Sequence, residues 1–209
     1  MSISGESKFF IGIGLATILI VVIGIAVMSK PAPVLEKSQL IPASASITGN
    51  KDAKTYLVEF SDFQCPACKS FHPLVKALVE KNREKLVFSY RHFPLDQHQQ
   101  AMPAALASEA AGEQGKFWEM HDYLFDNQES LSEEFLLASW EKLGLDKEKF
   151  EKAFKEKTYK DKILKDLADG RKFAVDATPT FFLNGKKLEL FSQNDLEKTV
   201  SEAIKNNPN

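Results

Sequence analysis

The chain of 209 residues contains two cysteines, Cys65 and Cys68, separated by Pro66 and Ala67. That spacing is too short for the stapling framework of a small secreted fold, which leaves a redox pair or a fragment of a metal site. His72 follows Cys68 by four residues, so Cys65, Cys68 and His72 could share one helical face and supply three ligands. A fourth ligand is missing. His92, His98 and His121 have no Cys or His at ligand spacing, and Pro73 disturbs the helix directly after His72. Lys69 after Cys68, in place of a histidine, removes the haem-attachment pattern. No metal and no prosthetic group are therefore expected, and thiol chemistry remains: one thiolate attacks, the other resolves.

The flanking residues say how such a pair is held. Residues 55–60, Thr-Tyr-Leu-Val-Glu-Phe, read as a strand without alternation, as expected of a central strand covered on both faces. A loop, 61–64, delivers Cys65 to a helix marked by Leu74, Val75, Leu78 and Val79 and closed by Asn82. Pro66 suits the first helical position, having no N–H to leave unsatisfied. Unpaired amides and the macrodipole at that end stabilise an anion, so Cys65 is the expected nucleophile and Cys68, one turn inward, its shielded partner. A second strand, 86–93, completes a βαβ unit, and C-x-x-C at the mouth of such a unit is a redox signature. Glu59 is the one charge in the first strand. A carboxylate buried without a partner is costly, so a raised pKa is expected; a strand-end Glu facing solvent or paired with a lysine is the alternative.

Further on, 177–186 reads as a strand led by Pro179 and followed by Asn184-Gly185, a strong hairpin signal. Residues 187–190 would return as a strand, and Ser192 would cap a final helix carrying Leu196, Val200, Ala203 and Ile204. Between the two halves, 99–170 is helical by local signs. Phe117, Met120, His121 and Leu124 share one face; Phe135, Leu136, Ser139, Trp140 and Leu143 another; Phe150, Ala153 and Phe154 a third. Ser130 and Glu133 have the spacing of a capping box before the second of these.

This order, with Cys65-Pro66-Ala67-Cys68 and Thr178-Pro179, resembles the DsbA family of thiol:disulfide oxidoreductases, and Tyr90-Arg91-His92-Phe93-Pro94-Leu95 and 115–121 resemble its membrane-tethered bacterial branch. The resemblance implies an α/β thioredoxin fold with an inserted helical subdomain, 47–98 and 171–209 being the two halves and 99–170 the insertion. It implies a cis Thr178-Pro179 bond facing the cysteines, with Thr178 and Pro179 offering backbone to a substrate strand. Glu59 resembles the acidic residue beneath the active site, a proton relay for Cys68. The implied activity is an exported dithiol oxidase that passes the Cys65/Cys68 disulfide to reduced or unfolded exported proteins. Reoxidation would fall to a quinone-linked membrane partner, DsbB-like or VKOR-like. Ala67 adds no donor or charge, so a Cys65 pKa of roughly 5 to 6.5 is expected, between the DsbA and thioredoxin extremes. A reductase or isomerase of the same fold is the rival, and a tethered peptide-binding chaperone with incidental cysteines is another.

The apolar residues concentrate in 9–28, an uncharged run of 20 residues. At ~1.5 Å per residue it spans a bilayer core, and its end lacks the small-x-small site of a cleaved signal peptide. A cytoplasmic head, 1–8, a transmembrane anchor, 9–28, and a Pro/Ala/Ser-rich tether, 29–46, are expected, with the catalytic domain outside the cell membrane. With 27 Lys and Arg against 29 Asp and Glu, the net charge of −2 offers no surplus for a phosphate backbone, so nucleic acid is excluded as partner. A monomer is expected.

Overall fold

Strand β1 (Ser46–Gly49) pairs antiparallel with β3 (Leu86–His92), β3 parallel with β2 (Thr55–Ser61), β2 antiparallel with β4 (Thr180–Leu183), and β4 antiparallel with β5 (Lys186–Lys187). The computed structural model describes residues 17–22 and 34–207, and in it β2 is the middle strand of the five. Every residue of β2 and β3 is buried, which accounts for their continuous apolar reading. The β4–β5 turn is the expected one: Asn184 and Gly185 take φ of 48° and 86°, a conformation Asn and Gly tolerate best. The returning strand is shorter than 187–190, consisting of Lys186–Lys187 alone.

Side chains alternate across β2, and this alternation separates two cores. Tyr56, Val58 and Phe60 pack with Phe93, Phe173, Val175 and Phe182 on one face. Leu57 faces the other way, with Phe88, Tyr90 and Phe181, against helices α2 (Pro66–Lys81) and α8 (Gln193–Asn206). Glu59 has the parity of Leu57. It therefore points to the side that carries the cysteines.

Five helices fill the interval between β3 and β4: α3 (Ala101–Gly112), α4 (Phe117–Asp126), α5 (Glu133–Leu143), α6 (Lys147–Lys155) and α7 (Lys160–Lys172). The architecture is thus an α/β thioredoxin-like sheet with a helical insertion. Two adjacent residues of β3 bind that insertion, one on each face of the sheet. Arg91, fully buried, gives Nε to Asp166 at 2.6 Å and Nη2 to Asp169 at 2.8 Å, both on α7. His92 Nε2 meets Glu109 of α3 at 2.9 Å, and Lys162 of α7 closes on the same carboxylate at 2.6 Å. Helix α7 comes so near the sheet at Gly170 that a Cβ there would lie 2.7 Å from the Phe93 ring.

Residues 34–46 correct the expected tether. They belong to the same compact unit as the sheet, with a short helix, α1 (Lys37–Leu40), whose Leu40 is fully buried. Leu35 N–H donates to the Gly185 carbonyl at 2.9 Å, and Arg91 Nη1 donates to the Leu40 carbonyl at 2.9 Å. The Pro/Ala/Ser composition hid this, because the partners lie far along the chain. Of the expected transmembrane anchor, 9–28, only 17–22 fall among the described residues, and these are helical. Among the described residues no helix is long and apolar enough to cross a membrane.

Candidate active site

Cys65 occupies the N-cap of α2, in extended backbone conformation, with Pro66 as the first helical residue. Four of the five site residues expected from sequence surround one another here: Cys65, Cys68, Glu59 and Thr178, with Pro179 joined to Thr178 by a cis peptide bond. Both thiols are free, Cys65 7% exposed and Cys68 fully buried. Cys65 Sγ lies 3.4 Å from the Thr178 carbonyl, to which the thiol can donate.

The two thiols are unlike in acidity. The Cys65 pKa falls to about 5, first because the Cys68 thiol donates a hydrogen bond to it. Burial opposes the shift, and the Thr178 side chain and the Cys68 and Ala67 backbone amides add to it. The helix terminus is thus a contributor, and the neighbouring thiol the larger one. Burial pushes the Cys68 thiol well up, reinforced by its bond to Cys65 and by the nearby Glu59. The pair therefore holds a thiolate at the helix end beside one deeply buried proton.

Glu59 is 3% exposed, and burial raises its carboxyl to about 7. Ser61 partly offsets the rise, and the charge of Cys65 adds to it. Glu59 pairs in register with Tyr90 on one side and Phe181 on the other, so neither neighbouring strand brings it a cation. Burial likewise holds the Tyr90 phenol well above its ordinary range, with Cys68 and Glu59 adding to the effect.

Asp62 and Gln128, which the sequence did not single out, fix the loop before Cys65 together with His98. Asp62, 2% exposed, accepts from Gln64 N–H at 2.7 Å, from Leu95 N–H at 2.8 Å and from His98 Nδ1 at 2.8 Å. Gln128, in a 3₁₀ turn of the insertion, donates to the carbonyls of Phe63 at 2.7 Å and Cys65 at 3.0 Å. The insertion thereby holds the active-site loop directly. Only the Asp62 and His98 residue types carried any signal; Gln128 reads as an ordinary turn residue.

A family model described as thioredoxin matches residues 43–205, covering both halves of the sheet, the insertion and the cysteines. The chain belongs to the thioredoxin family. Its fold is shared with DsbA-type proteins: BdbD from Bacillus subtilis superposes with a TM-score of 0.69 at 24% identity, covering 77% of this chain and 93% of that one. A thioredoxin-like oxidoreductase from Silicibacter pomeroyi superposes with a TM-score of 0.70 at 26% identity, covering 82% and 99%. In sequence, the chain is 37% identical over 147 residues to a protein of Salinispora arenicola named Na(+)/H(+) antiporter NhaA 1, covering 70% of this chain and 22% of that protein. This thioredoxin-family chain spans about a fifth of the length of that relative.

A third acid–base group in this thioredoxin-family chain lies apart from the thiols. Asp122 Oδ1 is 3.0 Å from both His72 Nε2 and His121 Nδ1, and Lys76 Nζ is 2.7 Å from Asp122 Oδ2. Burial works against the Asp122 carboxylate, yet bonds from His121, His72 and Lys76 hold it well below the usual range. The three ligand-type side chains lie within 4.8 Å of one another. As arranged, both Asp122 oxygens are already taken by donors, one of them an ammonium, so the group is built to hold protons and not a cation.

Proposed function

We propose that this thiol:disulfide oxidoreductase acts as a dithiol oxidase for exported proteins, held at the cell membrane with its catalytic domain on the extracytoplasmic side. One observation carries the oxidase direction: the Cys65 thiol stands at about 5 while Cys68 is pushed far up. A stabilised thiolate favours the reduced form and so makes the disulfide a stronger oxidant.

In the proposed cycle a client thiolate attacks Cys65 Sγ of the oxidised protein, the Cys65–Cys68 bond breaks, and Cys68 leaves with the electron pair. Glu59, standing near 7, supplies the proton that Cys68 takes up. A second client thiolate attacks the client sulfur of the mixed disulfide and expels Cys65 as thiolate. Two electrons pass from client to protein, and a quinone-linked membrane partner withdraws them again. Thr178 and Pro179 precede β4 beside Cys65, where the Thr178 backbone can pair with an extended client segment. The membrane reading rests on the uncharged run 9–28, whose described part, 17–22, is helical with Ile18, Leu19, Ile20, Val21 and Val22 exposed.

The test is a titration of the full chain in glutathione buffers. A potential of roughly −130 to −200 mV is expected, between those of DsbA and thioredoxin. A value below about −240 mV would overturn the oxidase reading and favour a reductase.

A further inference from the structure

Three side chains with chemistry of their own face Cys68 from the sheet. Glu59 and Ser61 are two apart on β2 and so share a face, and Tyr90 of β3 is the register partner of Glu59. Tyr90 packs in the same core cluster as Cys68. The proposed cycle gives parts to Glu59 and Cys68 and leaves the two hydroxyls idle. Ser61 and Tyr90 are each 1% exposed, and neither Ser61 Oγ nor the Tyr90 phenol has a hydrogen-bond partner in the protein. A buried hydroxyl left unpaired is costly, and two in one place call for a use in another state of the site.

Their surroundings say which state that is. Burial pushes the pKa of Glu59, Cys68 and Tyr90 up, and the Ser61 hydroxyl is close enough to each of them to oppose the rise. A hydroxyl eases the ionisation of a neighbour by donating to its anion. An alcohol keeps its hydrogen at ordinary pH, and so does a phenol held well above its usual range, so both groups stay donors. Both are also fixed in place. The Tyr90 ring stacks on Phe63 at 5.0 Å and meets His92 and His121 edge-on at 5.3 and 4.8 Å. The Ser61 backbone is pinned by the Phe93 N–H, which donates to its carbonyl at 2.8 Å. Donors held in this way need little reordering when a charge arrives.

We propose that Ser61, backed by Tyr90, is the donor that receives the negative charge of Cys68 whenever the Cys65–Cys68 bond opens or closes. As a visiting thiolate attacks Cys65 Sγ, a new S–S bond forms there, the Cys65–Cys68 bond breaks, and its electron pair passes to Cys68 Sγ. Disulfide sulfur is a poor acceptor and thiolate sulfur a good one. The Ser61 hydroxyl therefore turns to Cys68 Sγ only as the bond parts, while the phenol donates to Ser61 Oγ. The Glu59 proton then follows, and Cys68 ends as a neutral thiol. On closure Cys68 loses that proton in the same cradle, attacks Cys65 Sγ and expels the visitor as thiolate. A bond made in transit and in neither resting form lowers the barrier both ways and leaves the equilibrium alone. The proposal rests on Cys65 as the attacked sulfur, whichever way electrons flow. Ser61 is a catalytic residue in it, and Tyr90 a positioning residue.

The experiment times the two thiol steps separately in the full chain, native and Ser61→Ala. Reduced protein is mixed with oxidised glutathione and quenched with acid at intervals. Capture of glutathione by Cys65 should run at the native rate, because Cys68 takes no part in it, while closure of the Cys65–Cys68 bond should slow by about tenfold or more. Opening of that bond by dithiothreitol should slow by the same factor, and the potential in glutathione buffers should not move. Native closure in Ser61→Ala overturns the proposal. Equal slowing of capture and closure overturns it too, since that marks a general disturbance of the site. Tyr90→Phe should slow closure about threefold with native capture. A native closure rate there overturns the part given to Tyr90, and if Ser61→Ala does not fold it overturns the donor pair as a whole. Cys68→Ala tests the underlying reading by itself: if oxidised glutathione leaves no adduct on Cys65, Cys65 is not the attacked sulfur, whatever the Ser61 variant gives.

Discussion

Glu59 is the residue whose removal should most change the pH dependence of stability. Its carboxyl stands at about 7 in the folded chain, against an ordinary value of 4.5. A raised pKa means that the folded chain binds this proton more tightly than the unfolded one. The resulting stabilisation is complete below pH 4.5 and is lost as the pH rises through 7. Glu59→Gln should therefore be nearly neutral at pH 4 and raise the unfolding free energy by up to about 3 kcal/mol at pH 8. Urea denaturation of the reduced protein at the two pH values measures this, and a loss of stability at pH 8 would mean that a cation compensates the carboxylate. The thiols and Glu59 were legible in the sequence because their spacing and their place in an apolar strand are local facts. His121 and Gln128 were not. Gln128 gains its meaning from carbonyls of the active-site loop, and His121, bonded to Asp122 on its own helix, reads from its helical face as one more core aromatic.

At the scale of elements, the loop that carries Cys65 is held from outside itself. Asp62 takes three donors, from its own loop, from the turn after β3 and from His98. Asp62→Ala leaves those donors without a partner in a buried place, at roughly 1 kcal/mol or more for each bond lost. A loss of about 2 to 4 kcal/mol in chemical unfolding is expected, and a loss under 0.5 would show that water replaces the carboxylate. Element type was legible where periodicity was strong: α2, the faces of α4 and α6, and the Asn184-Gly185 hairpin. Ends were less so. The capping box expected at Ser130 is not the one used: Ser130 closes the 3₁₀ turn, and Ser132 caps α5 by accepting from Phe135 N–H at 3.1 Å. Two serines at nearly the same spacing give the same local signal, and the turn before the helix decides between them. Strand β1 was missed altogether, since four residues at a sheet edge carry too little pattern.

For the whole molecule, β3 is the seam between the sheet and the insertion. Arg91 is fully buried and serves Asp166, Asp169 and the carbonyl of Leu40 at once, joining α7 and the segment before β1 to the sheet. Arg91→Met removes the cation and strands Asp166, 4% exposed, without its partner. Breaking such a pair from one side should cost roughly 3 to 5 kcal/mol, read as a lower midpoint in chemical denaturation. Asp169→Asn, at the wetter end of the same guanidinium, should cost under about 1 kcal/mol. Equal costs would show that the two carboxylates act as one unit. The motif around Arg91 was readable as a family likeness, but its work as a seam needed the fold.

One feature of the cysteine pair governs how traffic through the protein must be organised. Cys68 is fully buried and Cys65 lies at the surface end of its helix, so every visiting sulfur meets the same atom. A dithiol delivering electrons and a disulfide collecting them cannot be seated together. Turnover is then an alternation of two half-reactions through a covalent intermediate, a ping-pong scheme in which each visitor must depart before the next arrives. An excess of either visitor crowds out the other, so dithiol and disulfide compete for the single sulfur.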